Sequence, residues 1–267
     1  MKYTVLTIFP EITDAYFSVS IMARAIKDGF VEYRSINVRD FAFDKHKKTD
    51  DAPYGGGAGM LMLPEPLALA LEAAGVSKKT CPETMPQSPV RKVPGKKVIY
   101  LSPSGRPFTQ KMAEELVQNE EIILICGRYE GIDQRIIDLY VDEEVSIGDY
   151  VLSSGEAAAL VLIDSTYRLL DQVISAESLR EESFAGGLLE YPQYTRPEVY
   201  DTIKVPEVLL SGHHENIRRW RLQKRLEKTF ALRQELIRRG EEAGLFDTET
   251  LKMIEEMRKN HERDQGN

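Results

Sequence analysis

The chain has 267 residues, 42% of them hydrophobic and 29% charged, which is typical of globular proteins and argues against disordered, fibrous or disulfide-stapled classes. No stretch of about 18 uncharged apolar residues occurs, and the N-terminal segment turns acidic at Glu11. We therefore expect no membrane span or signal peptide, and a cytoplasmic location. The net charge of −8 by itself disfavours a nucleic-acid partner, since phosphate binding needs Lys and Arg.

The first third of the chain alternates predicted strands with predicted helices, because apolar residues recur first at every second position and then at helical spacing. The expected elements are a strand over 3–9, helices over 10–17 and 21–29, a strand over 30–41, and a helix from Pro64 to Gly75. A charged, then Gly-rich loop over 44–60 precedes the last helix. Residues 77–97 contain four prolines without an apolar period, which indicates an exposed insertion.

The middle of the chain predicts a parallel sheet, since apolar strands are separated by a loop and a helix. The expected elements are strands over 98–102 and 121–126 around a helix over 109–119, then a strand-like segment over 143–152 and a helix over 157–170. Ser153 and Glu156 have the spacing of a capping box ahead of this last helix.

We expect two domains. An α/β domain spans 1–172, an interdomain linker with scattered Gly, Pro and acidic residues spans 173–190, and a helical domain spans 191–267.

Positive charge concentrates in the predicted C-terminal helical region. Residues 215–239 contain nine Lys or Arg against three Glu, together with Trp220. Such a run is usually a solvated helix face, but in an acidic protein the local excess favours a phosphate-binding surface. The candidate RNA contacts are Arg218, Arg219, Arg221 and Lys224.

The Gly-rich run over 54–60 invites comparison with phosphate-binding loops. It lacks the Lys-Ser/Thr of a P-loop and the spacing of a dinucleotide-binding turn. A flexible lid or a cluster of turns is the simpler interpretation.

Three further loops each follow an apolar strand or strand-like segment, at 100–103, 126–131 and 147–152. Ligands of open parallel sheets bind outside the carboxyl ends of the strands. Any one of these loops could be ordinary turn chemistry. Together, rich in Gly and aromatic residues and poor in Lys, they favour an adenosine over a polyphosphate.

Arg128 and Glu130 flank Tyr129 on the second of these loops. A structural ion pair is one interpretation of the two charges. The other is base recognition, because a carboxylate can accept from guanine N1 and N2 and an arginine can donate to O6 and N7. The two cysteines and four histidines show no metal-binding spacing, so no metal site is assigned.

Five ordered motifs resemble the bacterial tRNA (guanine-N1)-methyltransferases, the TrmD family of the SPOUT superfamily, and the similarity runs almost end to end. They are Asp50–Met60, Cys126–Asp133, Ser146–Leu152, Tyr194–Glu198 and Leu209–Gly212. The resemblance implies transfer of a methyl group from S-adenosylmethionine to N1 of the guanine 3′ to the tRNA anticodon, position 37.

The resemblance also implies an architecture: a parallel α/β sheet threaded into a trefoil knot, followed by a small helical domain that grips the tRNA. Knots run against the usual rules of chain topology. A homodimer with the active site at the subunit interface is implied as well. The cofactor pocket is then expected to contain Tyr100, Leu101, Ser102, Pro103, Gly127, Ile147, Gly148, Asp149, Tyr150, Val151, Leu152 and Gly155.

Guanine N1 is a poor nucleophile until its proton leaves, so the implied reaction needs a general base. By the resemblance this base is Glu182, assisted by Arg168, which would stabilise negative charge on O6. Asp50, Arg128 and Glu130 are the implied guanine contacts.

Two residues depart from the family pattern. Glu182 stands where the family has aspartate, which moves the carboxylate by roughly an ångström. Ser154 stands where the family usually has glycine, which bears on how closely the backbone approaches the cofactor. The alternatives are therefore an RNA-binding protein on the same scaffold with weak or no catalysis, a base at Glu181 instead, and a dimeric structural protein.

Overall fold

The computed structural model describes residues 1–79, 95–175 and 182–265. The chain divides into two compact units, Met1–Ile174 and Ser175–Asn267. Most of the insertion predicted over 77–97 lies outside the described residues, and the domain boundaries at 172 and 190 stay predictions. Within the described ranges, we find no helix with the length and apolar character needed to cross a membrane.

The first unit alternates strands with helices. In chain order these are β1 (Lys2–Thr7), α1 (Pro10–Phe17), α2 (Ser20–Lys27), β2 (Glu32–Asn37), β3 (Asp50–Asp51), β4 (Leu61–Met62), α3 (Pro64–Ala73), β5 (Lys96–Pro107), α4 (Gln110–Leu116), β6 (Glu121–Ile125), α5 (Gln134–Tyr140), β7 (Glu143–Ser146) and α6 (Glu156–Tyr167). Five strands form a parallel sheet in the order β2-β1-β6-β5-β7, and β3 pairs antiparallel with β4. The predicted α/β class with a parallel sheet is confirmed.

Both faces of this sheet are covered. On β6, Ile122 and Leu124 belong to a buried cluster that includes residues of α2, α4 and α6. The alternate residues Ile123 and Ile125 belong to a second cluster, with residues of α3 and α5. Successive side chains of a strand point to opposite faces, which explains why β6 is a continuous apolar run.

Several helices and strands differ from the expectation. β2 ends at Asn37 rather than near 41, because the Asn37 side chain accepts a hydrogen bond from the Arg39 amide at 3.0 Å and starts a 3₁₀ turn over Val38–Phe41. The helix expected over 109–119 is Gln110–Leu116, with Thr109 as its N-cap. The sequence pattern does not predict α5, whose seven residues are too few to display a clear period.

The predicted capping box is wrong. Helix α6 begins at Glu156 after Gly155, and no side chain caps its N-terminus. The Glu156 carboxylate is fully buried and accepts a hydrogen bond at 2.5 Å from Thr7 Oγ1, at the end of β1. The Glu156 carboxylate therefore binds Thr7, which is distant in sequence, and does not cap the helix as the local motif predicts.

The carboxyl end of β5 is irregular. Val145 on β7 lies opposite both Leu101 and Arg106, so residues 102–105 leave the ladder between them. This excursion contains Ser102 and Pro103 of the first predicted loop.

The second unit is mainly helical. It contains a 3₁₀ turn (Ala185–Gly187), a hairpin of β8 (Val199–Tyr200) and β9 (Ile203–Lys204), and helices α7 (Glu207–Leu210), α8 (His214–Leu232), α9 (Gln234–Glu242) and α10 (Thr248–Gln265). Its buried cluster joins Leu188 to Leu226, Ile237 and Ile254. Leu188 brings the segment that follows Glu182 into the core of this unit.

Candidate functional site

A cavity of about 270 Å³ opens beyond the carboxyl ends of β5, β6 and β7. The three predicted loops all contribute to its wall. Of the twelve predicted cofactor residues, eleven line it: Tyr100, Leu101, Ser102, Pro103, Gly127, Ile147, Gly148, Tyr150, Val151, Leu152 and Gly155. Asp149 is not among the lining residues, whereas its neighbours Gly148 and Tyr150 are.

One wall of the cavity depends on close approach of two backbones. The Gly155 amide donates to the Gly127 carbonyl at 2.9 Å. A Cβ on Gly155 would lie 2.7 Å from Cys126 Cα, and since backbone atoms cannot yield, only glycine fits. The start of α6 is thereby held against the loop after β6.

Ser154 sits in the same wall. It lines the cavity and forms an isolated antiparallel bridge with Arg128. Ser154 is therefore at the cavity surface, next to the close contact made by Gly155.

Tyr100 lines the cavity next to the second loop. Its ring lies against Gly127 and Gly131, and only 7% of the residue is exposed. Burial, followed by the charge of Glu144, raises the pKa of Tyr100. The hydroxyl is therefore neutral at physiological pH and can donate a hydrogen bond.

Arg128 does not pair with Glu130. Its guanidinium lies 3.3 Å from the buried Glu156 carboxylate and 4.5 Å from the centre of the Phe9 ring. Among the described residues, Arg128 Nε and Glu156 Oε2 are buried without a hydrogen-bond partner. The pair joins the ends of β1 and β6 to the start of α6, and sequence reasoning missed it because Glu156 read as a capping residue.

The neighbouring Cys126 is buried beside this pair. Burial, followed by the charge of Glu156, raises the pKa of its thiol well above the ordinary value. The thiol is therefore protonated at neutral pH.

Glu130 lies against the Gly-rich loop. A Cβ on Gly59, whose φ is +90°, would lie 2.3 Å from Glu130 Cγ. The Glu130 amide also donates to the Met60 carbonyl at 3.0 Å. Tyr54, at the start of this loop, is 99% exposed. Asp50 is half-buried in β3 and is paired with Met62 on β4.

The two predicted catalytic residues lie in different units. Arg168 is the C-cap of α6 in the first unit and is half-buried. Glu182 is half-buried in the second unit, and its carbonyl accepts a hydrogen bond from the Ala185 amide at 3.1 Å.

The candidate RNA contacts lie on α8 and already have protein partners. Arg218 binds both Glu215 and Glu249, with Nη2 at 2.7 Å from each, and Lys224 Nζ is 2.6 Å from Glu227. Arg221 lies 4.7 Å from the centre of the Tyr191 ring. Arg219 is the most exposed of the four, at 4.0 Å from Glu249. Acidic side chains of the same unit therefore offset part of the charge excess seen in the sequence.

Within the described part of the chain, no group of three His, Cys, Asp or Glu side chains could hold a metal ion.

Comparison with known proteins identifies the family. The family model described as tRNA (guanine-1)-methyltransferase TrmD matches residues 1–239. Curated proteins named tRNA (guanine-N(1)-)-methyltransferase are similar over nearly their full length. The protein of Treponema denticola is 55% identical over 96% of this chain and 98% of its own, that of Borreliella burgdorferi 58% over 88% and 92%, and that of Treponema pallidum 51% over 96% and 96%. The chain therefore belongs to the tRNA (guanine-1)-methyltransferase family.

Proposed function

We propose that this protein transfers the methyl group of S-adenosylmethionine to N1 of a guanine in tRNA, at position 37, on the 3′ side of the anticodon. The observation that carries the proposal is the cavity beyond β5, β6 and β7, where residues from three loops far apart in sequence converge in a member of this family. We place the activity in the cytoplasm, where tRNA is used.

The lining of the cavity fits S-adenosylmethionine. Leu101, Val151 and Leu152 offer apolar surface, Tyr100 and Ser102 offer hydroxyl groups, and Arg128 is the sole Lys or Arg among the described lining residues. A polyphosphate would need more positive charge and a different loop. When bound, the cofactor supplies an electrophilic methyl carbon on a positively charged sulfur.

The protein's own part in the chemistry is to make guanine N1 nucleophilic. We assign the Glu182 carboxylate to accept the N1 proton and the Arg168 guanidinium to stabilise the negative charge that then develops on O6. We assign Asp50, Arg128 and Glu130 to hold the base, since carboxylate oxygens match its N2 protons and a guanidinium matches O6 and N7.

We further propose a homodimer with a knotted methyltransferase domain and the active site at the subunit interface. The third cavity loop supports an interface, because Val151 is 87% exposed and Tyr150 and Leu152 beside it are also exposed. Helix α8 is proposed to bind tRNA phosphates through Arg218, Arg219, Arg221 and Lys224.

The test is incubation with labelled S-adenosylmethionine and unmodified anticodon stem-loop transcripts that carry either G or A after the anticodon. We expect label only in the G transcript, recovered as 1-methylguanosine on digestion. Equal label in both transcripts would contradict the assigned position. Binding of the G transcript without any label would favour an RNA-binding protein that has lost catalysis.

A further inference from the structure

Glu182 begins a short folded segment, residues 182–190, which we call the base turn. Its backbone closes on itself: the Ala185 amide donates to the Glu182 carbonyl at 3.1 Å, and the Phe184 amide donates to the Leu188 carbonyl at 2.8 Å. The Glu190 amide donates to Ser183 Oγ at 3.1 Å. The position of Glu182 is therefore tied to the rest of the base turn.

One side chain of helix α8 spans this turn. Arg225 Nη2 donates to the Ala185 carbonyl at 2.6 Å, and Arg225 Nε donates to the Leu189 carbonyl at 3.2 Å. These are charge-assisted bonds from a half-buried guanidinium, which are stronger than bonds between neutral groups. Ala185 links the arginine to the proposed base: its carbonyl accepts a hydrogen bond from Arg225, and its amide donates one to the Glu182 carbonyl.

The same face of α8 holds the base turn at two more points. One helical turn beyond Arg225, the buried Thr229 hydroxyl accepts a hydrogen bond from the Leu189 amide at 2.9 Å. Leu226 packs in one buried cluster with Leu188. Arg225, Leu226 and Thr229 of the basic helix thus all contact the base turn. Lys228 on the same helix is exposed.

We propose that Arg225 is a positioning residue for methyl transfer: it fixes the base turn so that Glu182 meets guanine N1, and it does not serve as one of the RNA contacts of α8. An arginine suits this task because its planar fork reaches two carbonyls at once, whereas the single ammonium of lysine does not. The inference rests on the proposed function, in which Glu182 is the base.

The test compares Arg225→Ala and Arg225→Lys with the exposed control Lys228→Ala and with Glu182→Gln. For each purified full-length variant, kcat and KM for tRNA and for S-adenosylmethionine are measured, together with the melting temperature. We expect Arg225→Ala to lower kcat by about 10- to 100-fold with both KM values nearly unchanged, because misplacement of the base by about 1 Å is enough. Lys228→Ala retains the parent kcat.

Rescue of activity by guanidinium ion added to the assay separates a positioning role from a purely structural role, which added guanidinium would not restore. We expect it to restore part of kcat in Arg225→Ala and none in Glu182→Gln. Arg225→Lys keeps one hydrogen bond and the charge, so it should fold and still lose kcat. Suppose that Glu182→Gln is inactive but the Arg225 variants keep the parent kcat, or change only by a raised KM for tRNA. That result overturns this inference and leaves the proposed function standing. An active Glu182→Gln overturns the assignment of the base in the proposed function.

Discussion

The buried Glu156 carboxylate fixes the position of Arg128, which lines the cavity. Glu156 receives a hydrogen bond from Thr7 and faces the Arg128 guanidinium, which also lies over Phe9. The guanidinium assigned to guanine recognition therefore has its position set by Glu156 on α6, by Thr7 at the end of β1 and by Phe9 just after it.

Glu156→Ala removes the charge and leaves the Arg128 guanidinium buried without its counterion. Because a buried charge without a partner is costly, we expect a loss of about 3 kcal/mol in the free energy of unfolding. Denaturant titration measures it, with Glu156→Gln as the matched variant that keeps the shape of the side chain. A loss below about 1 kcal/mol in Glu156→Ala would mean that the pair behaves like an exposed salt bridge.

Glu121, at the amino end of β6, sets a pH dependence. Although burial alone would raise it, hydrogen bonds from Lys96, Thr4 and Lys2 hold the pKa of Glu121 below its ordinary 4.5. Lys2, Thr4 and Lys96 lie on the strands on either side of β6, so the carboxylate joins three strands.

A carboxylate whose pKa is lowered by folding adds stability that is present above its unfolded pKa and is lost as the pH falls through the folded value. We therefore expect the free energy of unfolding to decline with acid below about pH 4.5, the ordinary value, and to decline less steeply in Glu121→Gln. Chemical denaturation between neutral and acidic pH measures both slopes. If the free energy of unfolding fell with acid at the same slope in both proteins, Glu121 would not be a source of the pH dependence.

At the scale of elements, the start of α6 is fixed by tertiary contact and not by its local sequence. Ser153 and Glu156 have the spacing of a capping box, yet the helix has no side-chain cap. Gly155 is what the position requires, because its backbone touches Cys126 and is bonded to Gly127.

Gly155→Ala tests this contact cleanly. The φ of −78° suits alanine, so any effect comes from the missing space. We expect the added methyl to push α6 away from the loop after β6 and to weaken S-adenosylmethionine binding by about tenfold, or about 1.4 kcal/mol. Calorimetric titration measures the affinity, and Ala157→Ser, at an exposed position of the same helix, is the control. Unchanged affinity in Gly155→Ala would show that the cavity tolerates the shift.

At the scale of the whole molecule, the parallel sheet and the cavity loops could be predicted from the sequence. Apolar strands alternate with helices, and the carboxyl ends of parallel strands meet at one edge, so three separate loops were expected to converge there. Knot topology is not accessible from periodicity, and only the family resemblance implies it.

The contacts that sequence reasoning missed are long-range pairings. Arg128 meets a glutamate 28 positions later, and Arg225 reaches back 36 and 40 positions to Leu189 and Ala185. The sequence of a basic helix does not show which of its Lys and Arg side chains face the protein interior. From the sequence alone, Arg225 is therefore indistinguishable from the cations that face solvent. The two segments are brought together by the packing of Leu188 and Leu226 in one cluster and by the hydrogen bonds that Arg225 and Thr229 make to the earlier segment.

The most direct test of the central claim, that the Glu182 carboxylate is the base for methyl transfer to guanine N1, is the single-turnover rate of 1-methylguanosine formation in Glu182→Gln and Glu182→Asp. We predict that the glutamine variant binds S-adenosylmethionine and tRNA as the parent does but forms no product, because an amide cannot accept the proton, while the aspartate variant retains activity. A glutamine variant that forms 1-methylguanosine at the parent rate would contradict the account.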